Sequence, residues 1–128
     1  MRRMRGDERG AVAVEFALVV PVLLMVIFAI VEFGLIYNAQ IQVTASAREG
    51  ARAAALGAPL AQVKSTAVAA APSLSPTLTA ANVAVSPSTC APGTNVTVTI
   101  VNYRLNSISG MFTGGIELSG KAVMRCGA

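Results

Sequence analysis

The sequence predicts an α+β protein, in which a long N-terminal membrane-spanning helix extends into a small extracytoplasmic domain with an antiparallel sheet. Three features predict this: a long apolar run near the N-terminus, an alanine-rich stretch without proline behind it, and later segments that alternate valine with threonine. The 128 residues suffice for one small domain beside a membrane segment and are too few for two sizeable cores.

The apolar run is the predicted transmembrane helix. Residues 16–31, FALVVPVLLMVIFAIV, carry no charge, and the run extends over residues 11–36 with Glu15 and Glu32 as its charged residues. As a helix it is about 39 Å long at ~1.5 Å per residue, which exceeds a hydrocarbon core of roughly 30 Å. A core helix of a soluble domain would carry polar residues at helical spacing, and residues 16–31 do not.

The flanking charges predict the orientation of this helix. Four basic residues precede it, and the next one along the chain is Arg48; the four are Arg2, Arg3, Arg5 and Arg9. The positive-inside rule then places the N-terminus in the cytoplasm and residues after about 37 outside. A cleaved secretory signal fits less well, because the apolar run is too long and the small-residue site at Ala45–Ala47 lies well beyond its end.

Composition excludes several classes of function. The chain has no His and no Trp, so a hydrolytic or metal site built on imidazole is impossible. Basic residues are too scattered and aromatic residues too few for a nucleic-acid surface. No nucleophile–base pair, carboxylate dyad or phosphate loop is visible. We therefore expect no enzyme, cofactor, nucleic-acid partner or small-molecule substrate.

Glu15 is unexpected in the apolar run because its side chain is a carboxylate. A carboxylate at the centre of a membrane helix costs about 2.5–3.5 kcal/mol, and less near an edge. Glu15 lies about 6 Å along the helix from Ala11 at ~1.5 Å per residue. Its side chain either snorkels to the cytoplasmic headgroups or has a partner of opposite charge.

The segment around Glu15 resembles the processing site of type IV pilin-like precursors. Arg9-Gly10-Ala11 ends a short basic leader, and Glu15 follows the Gly by five residues, as in that superfamily. The resemblance implies that a prepilin peptidase cuts between Gly10 and Ala11. The new amine of one subunit could then neutralise Glu15 of a neighbour, which would set subunits in register.

Within that superfamily, residues 10–57 resemble the TadE-like proteins of the tight-adherence pilus. The shared motifs are Val14-Glu15-Phe16-Ala17-Leu18, then Pro21, then Glu32-Phe33-Gly34, then Ala47-Arg48-Glu49-Gly50-Ala51-Arg52. Secretion pseudopilins and ordinary type IV pilins usually begin with an aromatic residue and a Thr-Leu-Ile-Glu run, so we rank them lower. The resemblance implies a pilin-like fold.

The resemblance also implies a function and a set of partners. The chain would be a minor pilin or pseudopilin in the bacterial inner (cytoplasmic) membrane, or incorporated in the pilus. Its partners would be the prepilin peptidase, other pilins or pseudopilins, and inner-membrane assembly platform proteins. Adhesion itself would belong to the whole pilus. The alternative is an uncleaved single-pass anchor that carries an extracytoplasmic binding module.

Several other residues of the long helix are candidates for a role. Pro21 lacks the amide proton that would bond to the Ala17 carbonyl, so it should kink the helix. Glu32 lies near the outer interface and either snorkels or contacts a partner. Small residues at 45–55 allow a second helix to approach closely. Candidates for helix packing or partner contact are Glu32, Arg48, Glu49 and Arg52, of which Glu49 and Arg52 can pair.

The outer part divides into a helical extension, residues 37–57, and a small domain, residues 58–128. Gly57 and Pro59 should end the first helix. Predicted elements are a helix over Leu60–Ala71 and strands over Asn82–Ser86, Asn95–Arg104 and Ile116–Cys126. Cys90 and Cys126 are the only cysteines, and outside the cytoplasm they most simply form a disulfide. The loop 105–115 has exposed apolar character at Ile108, Met111 and Phe112. It would either touch the lipid surface or a partner, or form a partly buried connection.

Overall fold

The structure is a computed structural model, and it describes residues 2–108, 110 and 114–127, without the side chains of residues 2–7. The predicted basic side chains of Arg2, Arg3 and Arg5 and the predicted apolar loop residues Met111 and Phe112 therefore lie outside the described part.

The described elements confirm the predicted α+β class. Two helices and a short 3-10 turn precede a sheet of three strands. The bounds are Arg2–Ala55 for helix α1, Leu60–Ala69 for helix α2, Ala80–Asn82 for the 3-10 turn, Val83–Ser86 for strand β1, Asn95–Leu105 for β2 and Ile116–Arg125 for β3. Each strand begins and ends within one residue of its predicted bounds, and α2 ends two residues earlier than predicted.

The chain forms two compact units, Met1–Gly34 and Leu35–Ala128. The first unit is the helical segment that contains most of the apolar run. The second contains the rest of α1 together with α2 and the sheet. The domain bounds at residues 10, 36 and 57 stay predictions.

The sheet has the strand order β1-β2-β3, with antiparallel neighbours throughout. Val98 of β2 is opposite both Val85 of β1 and Ala122 of β3. The β2–β3 register shifts between Ile100 and Tyr103, where Asn102 has a positive φ of 55°. Alternate residues of β2 are buried, which is the pattern of a sheet with one face packed on a core.

Small residues of α1 pack against the sheet and α2. One stripe of the helix is buried, and it consists of Ala39, Val43, Ser46, Ala47, Gly50, Ala51 and Ala54. A Cβ added at Gly50 would lie 3.1 Å from Val98 Cγ1 and 3.2 Å from Ala67 Cβ. A Cβ added at Gly120 would lie 2.9 Å from the Val43 carbonyl oxygen. The helix and the sheet therefore approach too closely for larger side chains at these positions.

The end of α1 follows from its sequence as predicted. Gly57 has a positive φ of 86°, its N–H donates to the Ala54 carbonyl, and the Ala58 N–H donates to the Ala53 carbonyl. This pair of bonds is the Schellman motif, which glycine favours because it lacks a Cβ. Pro59 then precedes α2.

Three polar contacts and one covalent bond fix the loops of the second unit. Gln42 Oε1 accepts from the Ser73 N–H at 3.2 Å, and the Tyr103 hydroxyl donates to the Pro76 carbonyl at 2.8 Å. Asn82 Oδ1 accepts from the Thr79 N–H at 3.1 Å. A disulfide joins Cys90 and Cys126, whose Cα atoms are 5.5 Å apart.

Candidate functional site

The helix of the first unit is apolar on all sides along residues 16–31. Large apolar side chains point outward at successive turns, including Phe16 and Met25, which are 69% and 72% exposed. The most apolar window of this helix has no buried residue, and by length and composition the helix can cross a membrane. Exposed apolar surface of this kind calls for lipid or other helices around it, because water would leave it unfavourably solvated.

The residues of the predicted processing site lie on this helix. Gly10, Ala11 and Glu15 are helical and exposed. Residues four apart lie on one face of a helix with a rise of about 6 Å between them, so Ala11 and Glu15 share a face. A Cβ added at Gly10 would have no atom within 4 Å. The described fold therefore imposes no packing requirement for glycine there.

Pro21 and Glu32 lie in the same unit. The helix continues through Pro21, and the kink there stays a prediction. Glu32 is 4% exposed in the structure. Its function stays a prediction.

Arg48, Glu49 and Arg52 lie on the exposed side of α1 in the second unit, away from the buried stripe. Arg48 borders a shallow depression with Tyr37 and Ile41, both of which are exposed. We call this surface of α1 the outer stripe, and it consists of Tyr37, Ile41, Arg48, Glu49 and Arg52. Glu49 and Arg52 are not joined by an ion pair in the structure, whereas exposed Arg104 and Glu117 form one at 4.0 Å.

The small residues of 45–55 pack inside the second unit. The sequence suggests that a second helix approaches them, and α2 of the same chain approaches Gly50. Ser46, which sequence reasoning missed, is buried and donates from its hydroxyl to the Ala67 carbonyl at 2.6 Å. Four of these residues, Ala47, Gly50, Ala51 and Ala54, are thus buried inside the second unit.

Gln40 and Gln42 are further residues that sequence reasoning missed. Gln40 Nε2 donates to the Ser119 carbonyl of β3 at 2.8 Å, while Gln42 contacts the turn at Ser73. An amide on an alanine-rich helix gives no signal for a particular backbone partner. Both residues position the sheet domain on the helical extension.

The titratable groups of the second unit form no catalytic arrangement in the part of the chain that the structure describes. No group of three His, Cys, Asp or Glu side chains there could hold a metal ion. Burial raises the pKa of the Tyr103 hydroxyl above its ordinary value of 10.0. A neutral phenol that donates to the Pro76 carbonyl is a structural group.

The comparison with protein families gives a match over the first part of the chain. Residues 10–52 match the family model TadE, whose description is TadE-like protein. No curated protein and no solved structure matches the chain. The matched range begins at Gly10 and ends at Arg52, so it contains every motif on which the predicted resemblance to the tight-adherence pilus family depends. Residues 10–52 are therefore a TadE-like segment, as the sequence motifs predicted.

Proposed function

We propose that this chain is a minor pilin or pseudopilin, a structural component of tight-adherence pilus assembly that a prepilin peptidase processes between Gly10 and Ala11. The observation that carries the proposal is the TadE-like match, which starts at Gly10 and covers the apolar helix. The surface of residues 16–31 supports it, because apolar side chains are exposed all round this part of the helix and could contact both lipid and neighbouring helices.

Glu15 would set the register of assembling subunits. An ion alone in hydrocarbon is unfavourable, so a free carboxylate at Glu15 favours any arrangement that brings a cation to it. Cleavage after Gly10 would create such a cation at Ala11, within about 6 Å along the axis. A neighbouring helix whose amine meets Glu15 neutralises both groups, and this pairing requires a fixed axial offset between subunits.

The outer stripe would contact other assembly proteins. Arg48 and Arg52 offer guanidinium groups on one side of α1, with Glu49 beside them. Exposed Tyr37 and Ile41 add apolar contact area, which is the mixture that transient protein interfaces carry. Partners would be other pilins or pseudopilins and the inner-membrane platform. Pro21 would kink the helix, and Glu32 would contact a partner in the same assembly.

The proposed placement is the bacterial inner membrane, with the N-terminus in the cytoplasm and the sheet domain outside. Arginines precede the apolar run, and the next basic residue along the chain is Arg48, which supports this orientation. A disulfide in the sheet domain agrees with an oxidising compartment.

The test of this function compares Glu15→Gln with wild type in cells that express the pilus system. We expect Glu15→Gln to insert in the membrane at least as well as wild type, because the amide costs less in hydrocarbon than the carboxylate. Its recovery in assembled material should fall strongly. Insertion is measured by alkaline carbonate extraction, and assembly by recovery of the chain in sheared surface material and in cross-linked complexes with other pilins.

Glu117→Gln is the matched control, because it removes the same charge from an exposed position on β3, outside the apolar run and the outer stripe. It should retain processing, register and assembly. If Glu15→Gln assembled as well as Glu117→Gln, the register function would be wrong. A full-length, unassembled wild-type chain would instead favour the uncleaved membrane anchor.

A further inference from the structure

We propose that the base of the sheet domain rests on the outer leaflet of the same membrane, with Ile108 inserted among the lipid headgroups. The occupant of this surface is the lipid that surrounds the chain's own helix, and the proposal depends on the membrane placement of that helix. We call the surface the basal patch, and it consists of Leu35 and Ile108 on the rim of one cavity.

The lining of one cavity shows where Ile108 lies relative to α1. It has a volume of about 240 Å³, and its lining includes Leu35, Asn38, Ser75, Asn106 and Ile108. All of these residues belong to the second unit. Ile108 therefore lies beside the first turn of α1 within that unit, although it follows Leu35 by more than seventy positions in the sequence.

Hydrogen bonds hold the loop in this place. The Asn106 N–H donates to the Ser75 carbonyl at 3.2 Å, and the Ser73 N–H donates to Gln42 Oε1 at 3.2 Å. Leu74, between these two serines, is buried in the core. The start of the loop is thus tied through the 73–75 turn to α1, and its exposed apolar residue follows two positions later.

The height of the patch follows from the sequence of α1. The apolar run continues to Ile36, so Leu35 lies at its outer end. The span from Leu35 to Asn38 rises about 4.5 Å at ~1.5 Å per residue. The headgroup region on each side of a bilayer is about 5–8 Å thick, as the difference between the hydrocarbon core and the whole bilayer implies. A residue beside Leu35 and Asn38 therefore lies at headgroup level.

The exposure and the chemistry of the side chains at headgroup level favour contact with lipid. Ile108 is 70% exposed and Leu35 is 40% exposed, although both are large apolar side chains. Tyr37, at the same level of the helix, is 71% exposed, and tyrosine is enriched at membrane interfaces. The polar lining consists of amides and hydroxyls without a basic side chain. Insertion should therefore depend on apolar contact and not on anionic lipid.

The test places an environment-sensitive fluorophore at Ile108→Cys in the full-length chain, reconstituted in phosphatidylcholine vesicles. The native cysteines are joined in a disulfide, so the introduced thiol is the labelling site. We expect a blue-shifted emission, strong quenching by nitroxide lipid and weak quenching by aqueous iodide. Adding phosphatidylglycerol to the vesicles should leave these values unchanged, because the patch has no basic residue.

Two further labels serve as controls. Ser88→Cys lies on a cavity that Ala54 also lines, about 29 Å beyond Leu35 along α1 at ~1.5 Å per residue, and should respond to iodide alone. Leu24→Cys lies in the apolar run and should respond to nitroxide lipid alone.

Three outcomes would overturn the basal patch. Iodide quenching at 108 equal to that at Ser88→Cys would show that water covers it. Protection from both quenchers would show that protein covers it. Lipid quenching that appears only with phosphatidylglycerol would show an electrostatic contact. The experiment requires neither processing nor assembly. If one of these outcomes is found at position 108 while nitroxide lipid quenches the label at Leu24→Cys, the basal patch is wrong and the proposed function is unaffected.

Discussion

At Glu15 two amines would compete for one carboxylate once the bond after Gly10 is cut. The chain's own Ala11 amine lies on the same helix face, about one turn away. A neighbour's amine reaches Glu15 only at one axial offset. Both pairings relieve the cost of a lone charge in lipid, but pairing between chains also brings apolar side chains such as Phe16 into van der Waals packing with a second helix. This additional contact favours assembly over the pairing within one chain.

Tyr103 gives a prediction of pH dependence at the residue scale. Burial raises the pKa of its hydroxyl, so the unfolded chain ionises first as pH rises past 10.0. The stability that this group contributes is fully present below that value and is lost as pH rises through the higher pKa of the folded state. In a Tyr37→Phe background, phenolate absorbance should appear at higher pH in the folded chain than in denaturant.

Tyr103→Phe provides the control for this titration. It removes the phenol and its hydrogen bond to Pro76, so the alkaline loss of stability from this group should disappear. If phenolate in the Tyr37→Phe chain formed at the same pH with and without denaturant, the burial of this hydroxyl would be contradicted.

Among the elements, the contact of α1 with α2 depends on Gly50. Gly50→Val should lower the free energy of unfolding of the sheet domain by about 1–3 kcal/mol, because the added atoms overpack against Val98 and Ala67. Denaturant unfolding in detergent, followed by near-ultraviolet circular dichroism of Tyr103, measures the change.

Gly34→Val is the control for helix propensity, since a Cβ at Gly34 would have no atom within 4 Å. It should leave the unfolding of the sheet domain close to that of wild type. Equal destabilisation by the two variants would show that β-branching in α1, and not close packing at Gly50, determines the effect.

The elements themselves could largely be predicted from sequence. Period-two alternation of Val and Thr located β2, and Gly57 with Pro59 located the end of α1, because these signals are local. The 3-10 turn before β1 was not predicted, since it depends on the Asn82 side chain accepting from Thr79. Sequence suggested that Ala47 and Gly50 pack on a second helix but could not identify it, because small residues suit any close neighbour.

Only the part of the candidate site that is contiguous in the chain could be predicted from the sequence. The resemblance between Gly10 and Arg52 was visible because its motifs are contiguous in the chain. The placement of Ile108 beside Leu35 was not visible, because it depends on residues that are distant in sequence.

At the scale of the whole molecule, a small domain with many alanines in its core depends on its cross-link. The Cys90–Cys126 disulfide closes a loop with a sequence separation of 36. Replacing both cysteines by serine should lower the free energy of unfolding by about 3–4 kcal/mol on the chain-entropy model. Denaturant unfolding of this variant and of reduced wild type should agree. A loss of less than about 1 kcal/mol would contradict the prediction.

The intact mass of the membrane-extracted protein, from cells with the prepilin peptidase, tests most directly whether the chain is a processed subunit. We predict a mass that lacks residues 1–10, with Ala11 as the first residue. Gly10→Val should keep the full mass, because it replaces the glycine after which the peptidase would cut, and Gly34→Val should be processed. Neither glycine packs against another residue, so the two variants are matched in their effect on the described fold. A wild-type chain that retains Met1 or Arg2 in assembled pili would contradict the account.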